Sequence, residues 1–166
     1  YPLDTLVQIC ETVPNVCAIK DWCNNVQQHE RHIKVLQSLT RPVNVLTTHS
    51  AWLLSSLVLG CKGLLSGSGS VIADLQSLLF SAVRDGNLGL AKRLNDRIRT
   101  TAEVFYADPF VDMHNRMKVA LVSLGRIPCS AVRPPLVTPS SDEVTKISEA
   151  MAQAGIVAEG AVREAA

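Results

Sequence analysis

Short apolar runs alternate with helix-period stretches through the first half of the chain. Leu6, Val7, Ile9 and Cys10 are the apolar positions of a short helix that Asp4 can cap, and Val13-Pro14-Asn15 breaks it. Val16-Cys17-Ala18-Ile19 is continuous apolar sequence ending at Lys20. It is too short for a helix and reads as a strand buried on both faces, with Cys17 as a small core residue. A polar helix follows, about Asn25 to Leu39, with Ile33, Leu36 and Leu39 near helical spacing and Arg41-Pro42 as its stop. On it His29 and His32, with Glu30 between them, read as part of a solvated face. Val43-Asn44-Val45-Leu46 is a second strand, finishing in Thr47, Thr48 and His49. Ser50 can cap a helix through Leu59, and Gly60 closes it. Gly63-Leu64-Leu65-Ser66 is a third strand, Gly67-Ser68-Gly69 a turn, and Ser70 the cap of a helix carrying Val71, Ile72, Leu75, Leu78, Leu79 and Val83.

Strand–helix units in succession predict parallel strands with crossover helices. The second half changes period. Gly86-Asn87 stops one helix and caps the next, which runs from Leu88 to Val104 with Leu90, Leu94 and Ile98 on one face. Asp108-Pro109 breaks it, and Phe110 to Leu124 is a further helix stopped by Gly125. Ile127-Pro128 through Pro139 is extended and Pro-rich. Ser140 and Glu143 form a capping box for a last helix ending near Gly155, and the tail from Glu159 to Ala166 is small and polar, as in a fraying end. The second half is therefore an all-helical addition to an α/β body.

Composition narrows the function classes. The 166 residues are 47% hydrophobic and 19% charged, which suits a folded domain and excludes a solvated linker. Sixteen Lys and Arg against 15 Asp and Glu leave a net charge of +1, and aromatics are 4%. Both disfavour a nucleic-acid partner. The longest apolar stretch, Ala51 to Leu59, includes Ser55 and Ser56 and is far short of the roughly 20 residues a membrane span needs. The five scattered cysteines, with no C-x-x-C, read as reduced thiols of a cytoplasmic protein rather than a disulfide framework or zinc site.

Lys20, Thr47, Thr48, His49 and Ser66 all fall at carboxyl ends of strands, where parallel α/β folds build active sites. A lysine at the end of a buried strand either extends its ammonium to water or is used. Desolvation disfavours the ammonium, and the neutral amine can attack a ketone to form a Schiff base. Gly67 and Gly69 allow close backbone approach, and a helix start at Ser70 favours an anion; a plain tight turn explains the same residues. The segment is not a dinucleotide fingerprint, since Ile72 stands where the third glycine belongs. His49 is either a pocket residue or a loop histidine, and His114 lies on a mostly polar helix turn.

At these residues the sequence resembles a known family. Val13-Pro14-Asn15-Val16 through Ile19-Lys20-Asp21 resembles the "PNIVGIKE" segment of the dihydrodipicolinate synthase / N-acetylneuraminate lyase family. Leu59-Gly60-Cys61-Lys62-Gly63-Leu64-Leu65-Ser66 resembles its "LGAKGVIS", and Val132-Arg133-Pro134-Pro135-Leu136 its "VRPPL" passage. The resemblance implies a (β/α)8 TIM barrel with a C-terminal helical extension, assembled as a homo-tetramer. It implies a class I aldolase-type lyase acting on a 2-oxo acid, without metal or organic cofactor. The family's Schiff-base lysine ends the sixth strand and matches Lys20. Leu65, Ser66 and Gly67 would wall the pocket, and Thr48 or His49 would contact the variable end of the substrate.

Residues 1–85 would then be the last three strand–helix units of the barrel, strands 6–8, and residues 86–166 the helical extension. Thr47-Thr48-His49-Ser50 stands where dihydrodipicolinate synthases commonly read Ser-Gly-Asp-Asp. Ile19-Lys20-Asp21-Trp22 with Asp112-Met113-His114-Asn115 resembles sugar-acid members such as 2-keto-3-deoxy-arabonate dehydratase. The implied reaction is dehydration or aldol cleavage of a 2-keto-3-deoxy sugar acid. The alternatives are condensation of pyruvate with aspartate semialdehyde, or a non-catalytic half-barrel with a structural or regulatory role. The family's Gly-Thr-Thr-Gly-Glu loop and catalytic tyrosine, from its first five strands, have no counterpart here, and neither Tyr1 nor Tyr106 matches that tyrosine's position. A barrel of this kind needs about 250 residues. The chain is thus expected to be the C-terminal part of a longer enzyme, inactive without its N-terminal half.

Overall fold

Val45 and Thr47 are buried and alternate with exposed Asn44 and half-buried Leu46, the two-residue period of a strand. In the computed structural model, which describes residues 1–48 and 50–158, this segment is the middle of a three-stranded parallel sheet. The strands are β1 (Ala18–Asp21), β2 (Asn44–Thr47) and β3 (Gly63–Leu64), in that spatial order. Lys20 pairs with Leu46 and Thr47 with Leu64, so the carboxyl ends of the strands lie side by side.

The helices are α1 (Leu3–Thr12), α2 (Val26–Leu36), α3 (Leu53–Val58), α4 (Gly69–Arg84), α5 (Leu88–Phe105), α6 (Met113–Ser123) and α7 (Ser141–Gln153). α2 and α3 lie between successive strands, as crossover connections require. Side-chain oxygens settle three of the starts. Asn25 accepts from Gln28 N, Asn87 from Leu90 N, and Ser140 and Glu143 form the full reciprocal box. Gly60 takes φ +105° where the chain turns from α3 toward β3, a conformation that favours glycine. A single core cluster joins Val43, Val45, Leu53 and Leu57 to Leu79, Ile98, Phe105, Met117 and Ile147.

Several expectations are corrected. β1 is an edge strand here, with Ala18 and Lys20 exposed and Ile19 half-buried; it is not buried on both faces. Cys17, one residue earlier, is exposed rather than in the core. α1 has Pro2 at its cap position without a side-chain bond, and Asp4 lies inside the first turn, where its charge suits the helix dipole. Ser50 begins a single 3-10 turn (Ser50–Trp52) and bonds other hydroxyls instead of capping α3. Ser70 lies inside α4, its hydroxyl donating to Gly67 O. Residues 110–124 divide into a 3-10 turn (Phe110–Asp112) and α6. His29 and His32 are buried, at 1% and 3% exposure, not on a solvated face. The tail from Glu159 to Ala166 lies outside the described residues.

Candidate functional site

Adjacent residues of a strand point to opposite faces, so Lys20 and Asp21 serve different surroundings. Lys20 is exposed and lines a cavity of about 290 Å³ together with Trp22, Gly67, Tyr106, Phe110, Met113 and His114. The cavity lies beyond the carboxyl ends of the strands, where parallel α/β folds place their chemistry. One wall is aromatic. Trp22 meets Phe110 edge-on at 5.8 Å, and Tyr106 stacks on Phe110 at 5.9 Å.

Asp21 faces inward and is 7% exposed. Its Oδ2 accepts from His29 Nδ1 at 2.7 Å and His32 Nδ1 at 2.8 Å, and its Oδ1 from Cys23 N at 2.8 Å. Burial alone would raise the Asp21 pKa, but the bonds from His29, His32 and Cys23 hold it well below the usual carboxylate range. Burial alone would lower that of His29; the bond to Asp21, with a further contribution from Cys61, pushes it up to about 9. His29 Nε2 bonds Ser56 of α3, so the cluster ties β1, α2 and α3 together behind Lys20. Asp21, Cys23 and His29 also place donor atoms within 4.8 Å of one another, a possible metal-ligand set among the described residues. Their lone pairs and protons are already matched, since the Cys23 thiol donates to Asn25 O at 3.2 Å and His29 Nδ1 is held by Asp21.

Beside the cavity the hydroxyls gather. Ser50 Oγ lies 2.8 Å from Ser66 Oγ, 2.6 Å from Ser68 Oγ and 3.1 Å from Tyr106 Oη. Gln76 Nε2 donates to Ser68 Oγ at 3.0 Å, and Gly69 leaves room for it, because a Cβ there would come 3.0 Å from Gln76 Oε1.

The loop that carries Tyr106 and Phe110 is held from the helical half. Arg116 of α6 is 2% exposed. It donates to the carbonyls of Ala107 and, at 3.2 Å, Asp108, and its Nε bonds Glu143 of α7 at 3.1 Å.

Of the expected site residues, Lys20 and Gly67 line the cavity together. Ser66 is half-buried in the hydroxyl group beside it. Leu65 is 52% exposed and Thr48 fully buried, and neither lines the cavity. His49 lies outside the described residues. Tyr106, Trp22 and Phe110 line the cavity but were absent from the sequence-based set. A signal was available in Phe105-Tyr106 and Phe110, aromatics flanking a helix-breaking Asp108-Pro109 in a chain poor in aromatics.

The chain is similar to several known proteins. A 4-hydroxy-tetrahydrodipicolinate synthase of Sorangium cellulosum is 28% identical over 148 residues, covering 89% of this chain and 47% of its own. The "Probable 2-dehydro-3-deoxy-D-pentonate aldolase YjhH" of Escherichia coli is 22% identical over 155 residues, covering 93% and 50%. The structure of YagE, an Escherichia coli K12 prophage protein of the dihydrodipicolinic acid synthase family solved in complex with pyruvate, superposes with a TM-score of 0.78. It is 24% identical, over 90% of this chain and 49% of that one. The chain thus spans about half the length of the curated relatives it matches. The model of the dihydrodipicolinate synthetase family matches residues 2–154, and the chain belongs to that family.

Proposed function

We propose that this chain is the lysine-bearing part of a Schiff-base lyase acting on a 2-oxo acid, with Lys20 as the catalytic residue. The observation that carries the reading is Lys20 at the carboxyl end of a parallel strand, on a cavity with an aromatic wall. Pyruvate in the YagE complex supports a 2-oxo acid as the reactant. In this reading β1, β2 and β3 are strands 6–8 of a (β/α)8 barrel, α5–α7 are its helical extension, and the remaining strands come from the rest of the barrel.

The unprotonated Lys20 amine adds to the C2 carbonyl, and uptake of a proton with loss of water gives an iminium. The iminium withdraws electrons from C3. Loss of the C3 proton gives an enamine, which can expel the C4 hydroxyl with a proton as water. Alternatively, deprotonation of the C4 hydroxyl breaks the C3–C4 bond, releasing an aldehyde and leaving the enamine of pyruvate. Either course suits a 2-keto-3-deoxy sugar acid, and the pentonate aldolase relative supports that substrate class. Thr47-Thr48-His49-Ser50 in place of the acidic Ser-Gly-Asp-Asp of the synthases also favours it. Condensation of pyruvate with aspartate semialdehyde is the second reading, supported by the name of the Sorangium relative.

Borohydride reduction of the intact enzyme with pyruvate, followed by peptide mass spectrometry, tests the role of Lys20. The expected result is one adduct, on Lys20, and its loss in Lys20→Ala. An adduct on another lysine, or none in active enzyme, overturns the assignment. Turnover of a 2-keto-3-deoxy pentonate well above that of pyruvate plus aspartate semialdehyde is expected; the reverse order favours the second reading.

A further inference from the structure

Among the residues lining the cavity, Trp22, Gly67, Phe110 and Met113 carry no acid or base. The Lys20 amine is consumed in the imine, and the Tyr106 hydroxyl is held by Ser50 at 3.1 Å. His114 is the remaining titratable side chain of this lining. It is exposed, and among the described residues its ring makes no hydrogen bond or ion pair. Its backbone is nonetheless fixed. Asn115, next in the chain, is fully buried and donates to Asp112 Oδ1 at 2.9 Å and to Val137 O at 2.8 Å. Arg116 follows, tied to Asp108 O and Glu143. An unpartnered imidazole thus stands at the start of α6 on an anchored turn. Histidine is the side chain suited to exchanging protons near neutral pH, provided that a ligand atom comes within its reach.

Its place in the cavity sets which atom it meets. Gly67 follows β3, and a Cβ there would come 3.8 Å from His114 Nε2. The missing side chain at 67 leaves that nitrogen uncovered on the side of the cavity that both residues line. β1 and β3 are two inter-strand spacings apart, roughly 10 Å. The imidazole therefore lies across the cavity from the strand bearing Lys20, and a keto acid held at C2 extends C3 and C4 toward it. We infer that His114 is a catalytic residue whose Nε2 exchanges a proton with the C4 hydroxyl of the acid bound to Lys20. The inference rests on the Schiff-base reading above and assigns a residue to a proton for which that reading names none. In dehydration, the C4–O bond of the enamine breaks with its electron pair on oxygen. His114 Nε2 gives the proton that completes water, and solvent returns one to the exposed ring. In aldol cleavage, Nε2 takes the C4 hydroxyl proton as the C3–C4 bond breaks. The electron pair of that bond passes into the iminium to give the enamine, and the ring later returns its proton to solvent.

The test uses the intact enzyme as wild type, His114→Gln and Gly67→Ala. Borohydride trapping of pyruvate at Lys20 reports the imine. Deuterium uptake at C3 of pyruvate in heavy water reports the enamine, and turnover of 2-dehydro-3-deoxy-D-pentonate reports the step at C4. Pyruvate has no C4, so trapping and deuterium uptake should be unchanged in His114→Gln. Its kcat on the pentonate should fall about a hundredfold, a usual worth of general acid–base catalysis. Gly67→Ala sets a methyl against Nε2 and should lower the same kcat by a smaller factor. Unchanged pentonate turnover in His114→Gln overturns the inference, the C4 proton then being handled by another part of the barrel. An equal loss in all three measurements, as a merely structural role would give, overturns it too. So does a wild type that traps pyruvate but leaves the pentonate intact. Absence of any Lys20 adduct in the wild type overturns the Schiff-base reading and this inference with it.

Discussion

Asp21 and His29 are displaced in opposite directions, so their contact has a definite pH window. The Asp21 pKa is depressed, and its contribution to stability is present above the unfolded value of 3.8 and declines as pH falls below it. The His29 pKa is raised to about 9, and its contribution is complete below 6.5 and lost as pH rises through 9. The cluster is thus most stabilising between roughly pH 4 and 6.5. Raising the pH from 6 to 9.5 is expected to cost about 3 kcal/mol at this site, since His29 is fully buried. Urea unfolding of the wild type and His29→Gln at the two pH values checks this: the wild type should lose stability at the higher pH and the variant much less. Equal wild-type stability at both would remove the imidazolium from the account. The cluster was only half legible in the sequence. His29, His32, Ile33 and Leu36 follow the spacing of one buried helix stripe, which a reading based on polarity alone passes over. Their partner Asp21 lies on another element, and no local pattern announces it.

Among the elements, α7 does more than close the chain's packing. Ser140 caps it, and Glu143 both completes the box and holds Arg116. Ser140→Ala removes the cap bond and the hydroxyl's bond to the Glu143 carboxylate, leaves Arg116 its partner, and should cost about 1 kcal/mol. Glu143→Ala also leaves the buried guanidinium without its carboxylate; because that carboxylate is partly exposed and Arg116 keeps its carbonyl partners, it should cost about 2 kcal/mol. Denaturant midpoints of the two variants separate the roles, and equal losses would show that the Arg116 bond contributes nothing. The capping box could be read from sequence because both partners sit within one turn. So could the Asn87 cap. Ser50 and Ser70 failed as caps for a related reason: each hydroxyl has a better partner within reach, Ser66 and Ser68 for Ser50 and the Gly67 carbonyl for Ser70.

Taken as a whole molecule, the described residues present three parallel strands with β1 and β3 at the edges. A strand edge offers unpaired backbone donors and acceptors, which favour pairing with another chain. Residues 1–166 expressed alone are therefore expected to self-associate and to show no lyase turnover. Light scattering and assay of that fragment check the expectation; a monodisperse monomer with full activity would refute it. The order of the strand–helix units was legible, because each unit carries its own period. The aromatic wall was not, because Tyr106 and Trp22 come together only when the helical half folds back over the strand ends. Arg116 and Glu143 give that return a temporal meaning. β1, with Lys20, leaves the ribosome long before the residues that anchor the loop bearing Tyr106 and Phe110. In the proposed reading, a nascent chain thus carries its Schiff-base lysine before the aromatic wall of its cavity is anchored. On that reading, emergence of the lysine and completion of the cavity come at different moments, and a ribosome stalled before Glu143 would hold the first without the second.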